Sequence, residues 1–374
     1  ELSGSGFEGV SVTMLNELLE GDALAQAVSS YNNDENFQAG VSKVIKAKHA
    51  SLDHEKRLPW LMGRPAALEA HADSIVKLIV HPAHPRAAVR EAALVALTGL
   101  EPSRLAPHTS AVVPALRDAD ERVRKAAVVT LRHTPPEALA AEAQSMALIL
   151  DHATQQADVR RAAIEAISLL EPGKLNQYAR AIASRLVDKH AVVRAEALTA
   201  LGGLVPINLA EHASAMMLRL EDDDDDVRTA AVTTLGRIAP TLARFLPAIL
   251  TRTTHAKGGV RATALQLLGK FDQASLAQRV SVLRERLNDS SEVVRAVALE
   301  VMSRMHPSDL AMNKEAVVGG LEDGAAAVRH AAMSTLGCLD VEHMAHHLPA
   351  VVQRLSDEDT AVRSAAVSTL LSKL

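Results

Sequence analysis

The chain has 374 residues, of which 48% are hydrophobic and 2% aromatic, with a formal net charge of −5 and one cysteine, Cys338. That apolar share excludes wholesale disorder. The absence of a basic excess argues against a nucleic-acid track, and a single cysteine excludes an intrachain disulfide and fits a reducing compartment, cytoplasm or organelle interior. With so few aromatics, the core must be built from Ala, Leu and Val, which suits thin helices in close contact.

Residues 1–64 read as a non-repeating N-terminal extension or cap. A flexible lead, ELSGSG, precedes a helix expected over residues 12–29, with Leu15, Leu18 and Leu19 on one side. A loop (YNNDEN, 31–36), a second helix over 37–50 and the segment RLPWLMGRP with the lone Trp60 follow. No apolar run in the chain approaches the length of a membrane span, which leaves peripheral association with a membrane surface as the only membrane contact.

From residue 65 to 374 a repeat takes over. A Val-Arg pair recurs with its arginine at Arg90, Arg124, Arg160, Arg194, Arg228, Arg261, Arg295, Arg329 and Arg363, at spacings of 34, 36, 34, 34, 33, 34, 34 and 34. Three residues after each arginine stands alanine, and seven after it a large aliphatic residue or Met302. Those offsets mark one face of an α-helix, the second helix of each repeat. An upstream apolar stripe, Leu105, Leu175, Leu209 and their equivalents, predicts a first helix. Proline between repeats (Pro102, Pro136, Pro172, Pro206, Pro240, Pro307) ends one helix and opens the next. One such hairpin cannot bury its own apolar faces, but a stack can.

The unit LAPHTSAVVPALRDADERVRKAAVVTLRHTPP, residues 105–136, resembles a HEAT repeat, and the resemblance covers about four-fifths of the chain. It implies an all-α, right-handed α-α superhelix of about nine helical hairpins, with the second helices lining the concave side. It also implies a structural ladder in which the aspartate six places before each arginine (Asp118, Asp188, Asp222, Asp289, Asp323, Asp357) pairs with an arginine of the neighbouring repeat. For function it implies little beyond binding, because such arrays serve many partners.

The residues offer little catalytic chemistry. EHMAHH places His343, His346 and His347 at helical spacing that suits zinc, yet the same slot is polar surface in other repeats. The only His-Glu dipeptide, His54-Glu55, lies outside the array, so the repeated His-Glu iron set of deoxyhypusine hydroxylase is not matched. The aromatic and acidic groove of HEAT-like DNA glycosylases has no counterpart either. No metal or cofactor is expected, and the chain reads as a non-enzyme. The candidate partner-contact row lies one and five places after the arginines: Lys125, Arg161 and His330, with Glu165, Thr199, Thr233, Gln266 and Glu300. Glycines at eight places after (Gly202, Gly236, Gly269, Gly337) make the row small, weakly polar and nearly neutral, suited to a protein helix or extended segment.

The run EDDDDDVR adds Asp223, Asp224, Asp225 and Asp226 to ladder Asp222 and reads as an acidic edge in the turn of the fifth repeat. It fails as a calcium loop, with Val227 where glycine is needed. Lys189 and His190 before it and Arg252, His255 and Lys257 after it suggest local charge compensation.

These readings converge on a non-catalytic scaffold or accessory subunit of a larger assembly that binds protein, with an organelle interior among its candidate settings. The alternatives are a cofactor-handling or lyase-like solenoid, and an electrostatic binder of nucleic acid or membrane. The chain starts at Glu1 and stops where a second helix finishes, which reads as a piece of something longer. Ser372-Lys373-Leu374 either completes that helix or spells a peroxisomal address.

Overall fold

The computed structural model describes residues 65–80, 84–151 and 156–372. The extension at 1–64, with its expected helices, His54-Glu55 and Trp60, lies outside the described residues, as do Lys373 and Leu374. Every regular element among the described residues is helical. No helix there is long and apolar enough to cross a membrane.

The second helices of the nine repeats are α1 (Ala87–Leu97), α2 (Glu121–Arg132), α3 (Ala157–Ile167), α4 (Ala191–Leu201), α5 (Asp225–Gly236), α6 (Gly258–Leu268), α7 (Glu292–Met302), α8 (Ala326–Leu336) and α9 (Thr360–Leu371). The chain divides into two compact bodies, Glu1–Glu142 and Ala143–Leu374. In the first, α1 packs on α2. In the second, α3 to α9 pack in chain order, each against the next, with the first-helix segments alongside.

The repeat's small and large positions explain the packing. All nine alanines three places after the Val-Arg arginine are 0% exposed, so the backbones of neighbouring helices approach closely over them. Leu97, Leu131, Ile167, Leu201, Leu235, Leu268, Met302 and Leu336 fill the level above and are also fully buried. Helix starts follow from capping: Asp120, Asp224 and Asp359 accept first-turn amides of α2, α5 and α9. Pro102, Pro136, Pro172, Pro206 and Pro307 open first-helix segments, where no N–H is needed.

The first helix departs from the sequence expectation of one continuous element. Only in the fourth repeat is it nearly so, Pro172–Ser184 running through Tyr178. Elsewhere it breaks at the corresponding residue: His108, His212, Phe245, Arg279, Asn313 and His347 all have φ between −121° and −94° and ψ near zero. Proline within two residues of the break, Pro107, Pro247 or Pro349, supplies the cause in three repeats, because its ring obstructs the preceding turn. Five of the first helices, the nearly continuous one included, then tighten into a 3₁₀ turn, such as Leu218–Glu221. That turn delivers the ladder aspartate in an extended conformation, φ −58° and ψ 145° at Asp222.

Candidate functional site

Two surfaces carry the polar side chains of the array: the edge formed by the turns between first and second helices, and the outer face of the second helices.

At the edge, five of the Val-Arg arginines, Arg90, Arg194, Arg261, Arg295 and Arg329, use their planar fork twice. Nη1 donates to carbonyls of its own turn, as from Arg194 to Asp188 O (2.8 Å) and from Arg329 to Asp323 O (2.9 Å). Nε and Nη2 then grip the aspartate of the next repeat. These bidentate pairs are Arg90–Asp118, Arg160–Asp188, Arg194–Asp222, Arg261–Asp289, Arg295–Asp323 and Arg329–Asp357, each with contacts of 2.5–2.9 Å. Arg329 and Asp357 are 6% and 2% exposed at their side chains. Each aspartate also accepts the amide two residues on, which fixes the turn. Arg124 and Arg363 hold their own turns through Asp118 O and Asp357 O, both at 2.8 Å.

The electrostatics follow from that geometry. Burial pushes the Asp222 carboxyl up, but hydrogen bonds from Arg194 and the Asp224 amide, with the charges of Arg194 and Arg219, hold it below the usual carboxylate range. Asp188 and Asp289 show the same balance. In Asp323 and Asp357 the arginine hydrogen bond dominates and lowers the pKa against the effect of burial.

The ladder has a gap at the fifth repeat. His255 stands where the sixth repeat would carry its aspartate. Its Nδ1 accepts the Lys257 amide (3.1 Å) and its carbonyl accepts from Arg261 (2.9 Å), so the turn survives without the rung. His84 plays the same part in the first repeat. Arg228 therefore has no carboxylate ahead of it; its Nη2 contacts Asp225 in its own turn, and its Nε has no hydrogen-bond partner among the described residues. The acidic run divides its labour accordingly. Asp222 is the rung to Arg194, Asp223 pairs with Lys257 at 2.5 Å, Asp224 caps α5, and Asp225 serves Arg228, while Asp226 is exposed in the first helical turn. Glu221, just before the run, pairs with Arg252 (2.8 Å). These pairs to Lys257 and Arg252 put the compensation on the side of the following repeat.

On the outer face, Lys125, Thr199, Thr233, Gln266, Glu300 and His330 are exposed, and Arg161 and Glu165 are half-buried and joined at 3.4 Å. Within the second body, a hollow of about 240 Å³ gathers Thr229, Thr233, Gln266 and Glu300, and another of about 490 Å³ gathers His330, Ser334, Ser364 and Ser368. The row is not continuous. Ala262 and Ala296, one place after their arginines, are 4% and 8% exposed, because adjacent second helices close over them. The glycines serve that same closure: a Cβ on Gly269 would stand 2.9 Å from Val301 Cγ2.

Two columns of functional side chains escape a reading of the sequence alone. Thr130, Thr234, Thr335 and Thr369 are buried and donate Oγ1 to Leu94, Leu198, Leu299 and Met333 carbonyls of the preceding second helix at 2.9–3.3 Å. Their signal was a polar residue on an apolar register. The other column is an arginine nine places before the Val-Arg arginine. Arg219 reaches Asp222 (3.2 Å), Arg252 reaches Glu221, and Arg286 and Arg354 reach the preceding repeat's carbonyls at Thr253 (3.4 Å) and Leu321 (3.2 Å).

His343 and His347 are half-buried and His346 exposed around the break before α9; His347 lies 3.6 Å from Glu315. No group of three or more His, Cys, Asp or Glu is placed to hold a metal among the described residues. Cys338 lies in the hollow that His330 also lines, but its thiol donates to the Ser334 carbonyl at 3.7 Å.

Comparison with known proteins agrees with this architecture. Residues 213–303 match the sequence model of HEAT repeats. No curated protein matches the sequence. Among solved structures, Kap121p bound to Pho4p is similar at a TM-score of 0.69 and 13% identity, over 98% of this chain and 44% of that one. Kap121p bound to Nup53p gives 0.68 and 12%, over 98% and 44%. Kap95p in a structure with RanGDP gives 0.59 and 13%, over 97% and 51%. The chain thus spans less than half the length of the Kap121p chains, and at these identities the likeness is one of fold.

Proposed function

We propose that this chain, a HEAT-repeat α-solenoid, acts by binding protein, as a non-catalytic scaffold or accessory subunit of a larger assembly. The observation that carries the reading is the exposed row on α5 to α9. Its Thr, Ser and Gln side chains offer donors and acceptors together and give up little rotamer freedom when covered. Its charges are sparse and of both signs, which suits a protein segment better than a phosphate backbone, whose recognition needs a cation in most layers. The similar folds support the direction, since Kap121p is described bound to Pho4p and to Nup53p.

Purification of the protein from its native source at low concentration, with mass spectrometry of the eluate, tests the reading. A stoichiometric protein partner is expected, and Thr233→Trp and Ser334→Trp, which fill the two hollows, should each weaken its retention at least tenfold without unfolding the array. A protein that elutes as a lone monomer, or a partner whose retention both variants leave intact, overturns it.

A further inference from the structure

The arginine nine places before each Val-Arg arginine recurs as Arg185, Arg219, Arg252, Arg286 and Arg354. In the eighth repeat that position is Gly320, preceded by Gly319. Arg354 shows what the missing side chain does: it lies over the preceding repeat, donates to Leu321 O and approaches Glu322 (3.4 Å) and its own ladder residue Asp357 (3.5 Å). The equivalents around Gly320 are the Leu287 carbonyl, the Asn288 side chain and Asp323. All three residues line a surface hollow of about 740 Å³ that opens at Gly319 and Gly320. Leu287 records the loss. Leu186, Leu220 and Leu321, whose following repeats carry the arginine, are at most 1% exposed, whereas Leu287 is only partly buried; Leu116, followed by Asp151 instead, is also fully buried, and Leu355, in the last repeat, is 37% exposed.

We infer that this hollow is a receptor for an arginine side chain supplied by a partner protein, inserted where the chain's own arginine column is interrupted. The chemistry selects guanidinium. A planar fork can satisfy a carbonyl and a side-chain amide on one side and a carboxylate on the other, which an ammonium point charge does less well. Its aliphatic stem would cover Leu287. The lining carboxylates Glu285, Glu322 and Asp323 are each partnered from outside, by Arg286, Arg354 and Arg295, and Arg284 also lines the hollow, so the selection rests on hydrogen-bond geometry and not on net charge. The hollow exceeds one side chain in volume, so the segment carrying the arginine lies in it too. This site is separate from the row on the second helices, and the two stand or fall independently because a small probe, not the partner, tests it.

The test titrates N-acetyl-arginine N-methylamide into the whole chain with labelled methyl groups, against the uncharged N-acetyl-citrulline N-methylamide. Saturable shifts confined to Leu287, Leu299 and Val328 are expected, with the citrulline compound at least tenfold weaker. Gly320→Arg supplies the guanidinium internally and should abolish those shifts. A Cβ at position 320 stands 3.0 Å from Ala332 Cβ and 3.2 Å from Leu299 Cδ1, so Gly320→Ala isolates the effect of that crowding and should still bind. Glu285→Lys, at an exposed site that leaves the fold alone, should weaken binding about tenfold. No saturable shift in the unaltered chain, equal binding of the citrulline compound, or undiminished binding by Gly320→Arg or Glu285→Lys overturns the inference.

Discussion

In five repeats a single arginine does two jobs that are usually divided among several residues. Arg329 closes its own turn through Asp323 O and joins the next repeat through Asp357, with both ends of that pair nearly inaccessible to water. A pair so placed is worth little compared with an apolar replacement, but removing one partner strands the other charge. Asp357→Ala should therefore destabilise the docking of α9 by about 3 kcal/mol at neutral pH, read as faster amide hydrogen exchange in α9. The pH dependence has a fixed sign. Asp357 has a folded pKa below its unfolded value of about 3.9. Its contribution is thus complete above that value and is lost as pH falls through the folded one. At pH 3 the difference between Asp357→Ala and the unaltered chain should shrink; a constant difference from pH 7 to pH 3 would refute the assignment.

At the scale of the element, the second helices were legible in the sequence and the first helices only in part. Val-Arg, the alanine three places on and the aliphatic residue seven on are short-range signals that repeat nine times, and the helices they predict are present in every repeat. The breaks at His108, His212 and His347 are not legible in the sequence, because the backbone geometry that makes them hinges is kept when the residue changes to Phe245 or Asn313. The threonine column was hidden by its own register, where Ala96, Leu267 or Val301 serve as well in other repeats. At Ala262, Ala296 and the glycines beside the contact row, smallness serves packing between helices as readily as access by a partner. Gly269→Ala tests that distinction. The new methyl would meet Val301 at 2.9 Å, and overpacking of this kind costs about 1–3 kcal/mol. Gly173→Ala, with nothing within 4 Å, should be close to neutral. Denaturant unfolding of the two variants gives the comparison.

For the whole molecule, stability is a sum of repeats and their nearest-neighbour contacts, so local charge matters where it spans a junction. Lys257 and Asp223 are both exposed, and their attraction is screened by salt. Lys257→Glu places a seventh acidic group beside the run Glu221–Asp226, whose own repulsion it no longer offsets. The variant should melt below the unaltered chain in low salt, and the gap should close near 1 M salt. A gap that is independent of salt would mean that Lys257 acts through packing instead.

The missing rung at Arg228 also has a mechanical meaning. Six junctions are clipped by a guanidinium that must lose two parallel hydrogen bonds at once to let go. The junction between α5 and α6 has no such clip, only an exposed Lys257–Asp223 contact, the Arg252–Glu221 pair and apolar packing at the edge of the helices. If the body Ala143–Leu374 is pulled from its ends, that joint yields first, and the rows on either side of it can change pitch relative to each other while the clipped segments move as stiff rods. The five aspartates then mark the place where that body stretches.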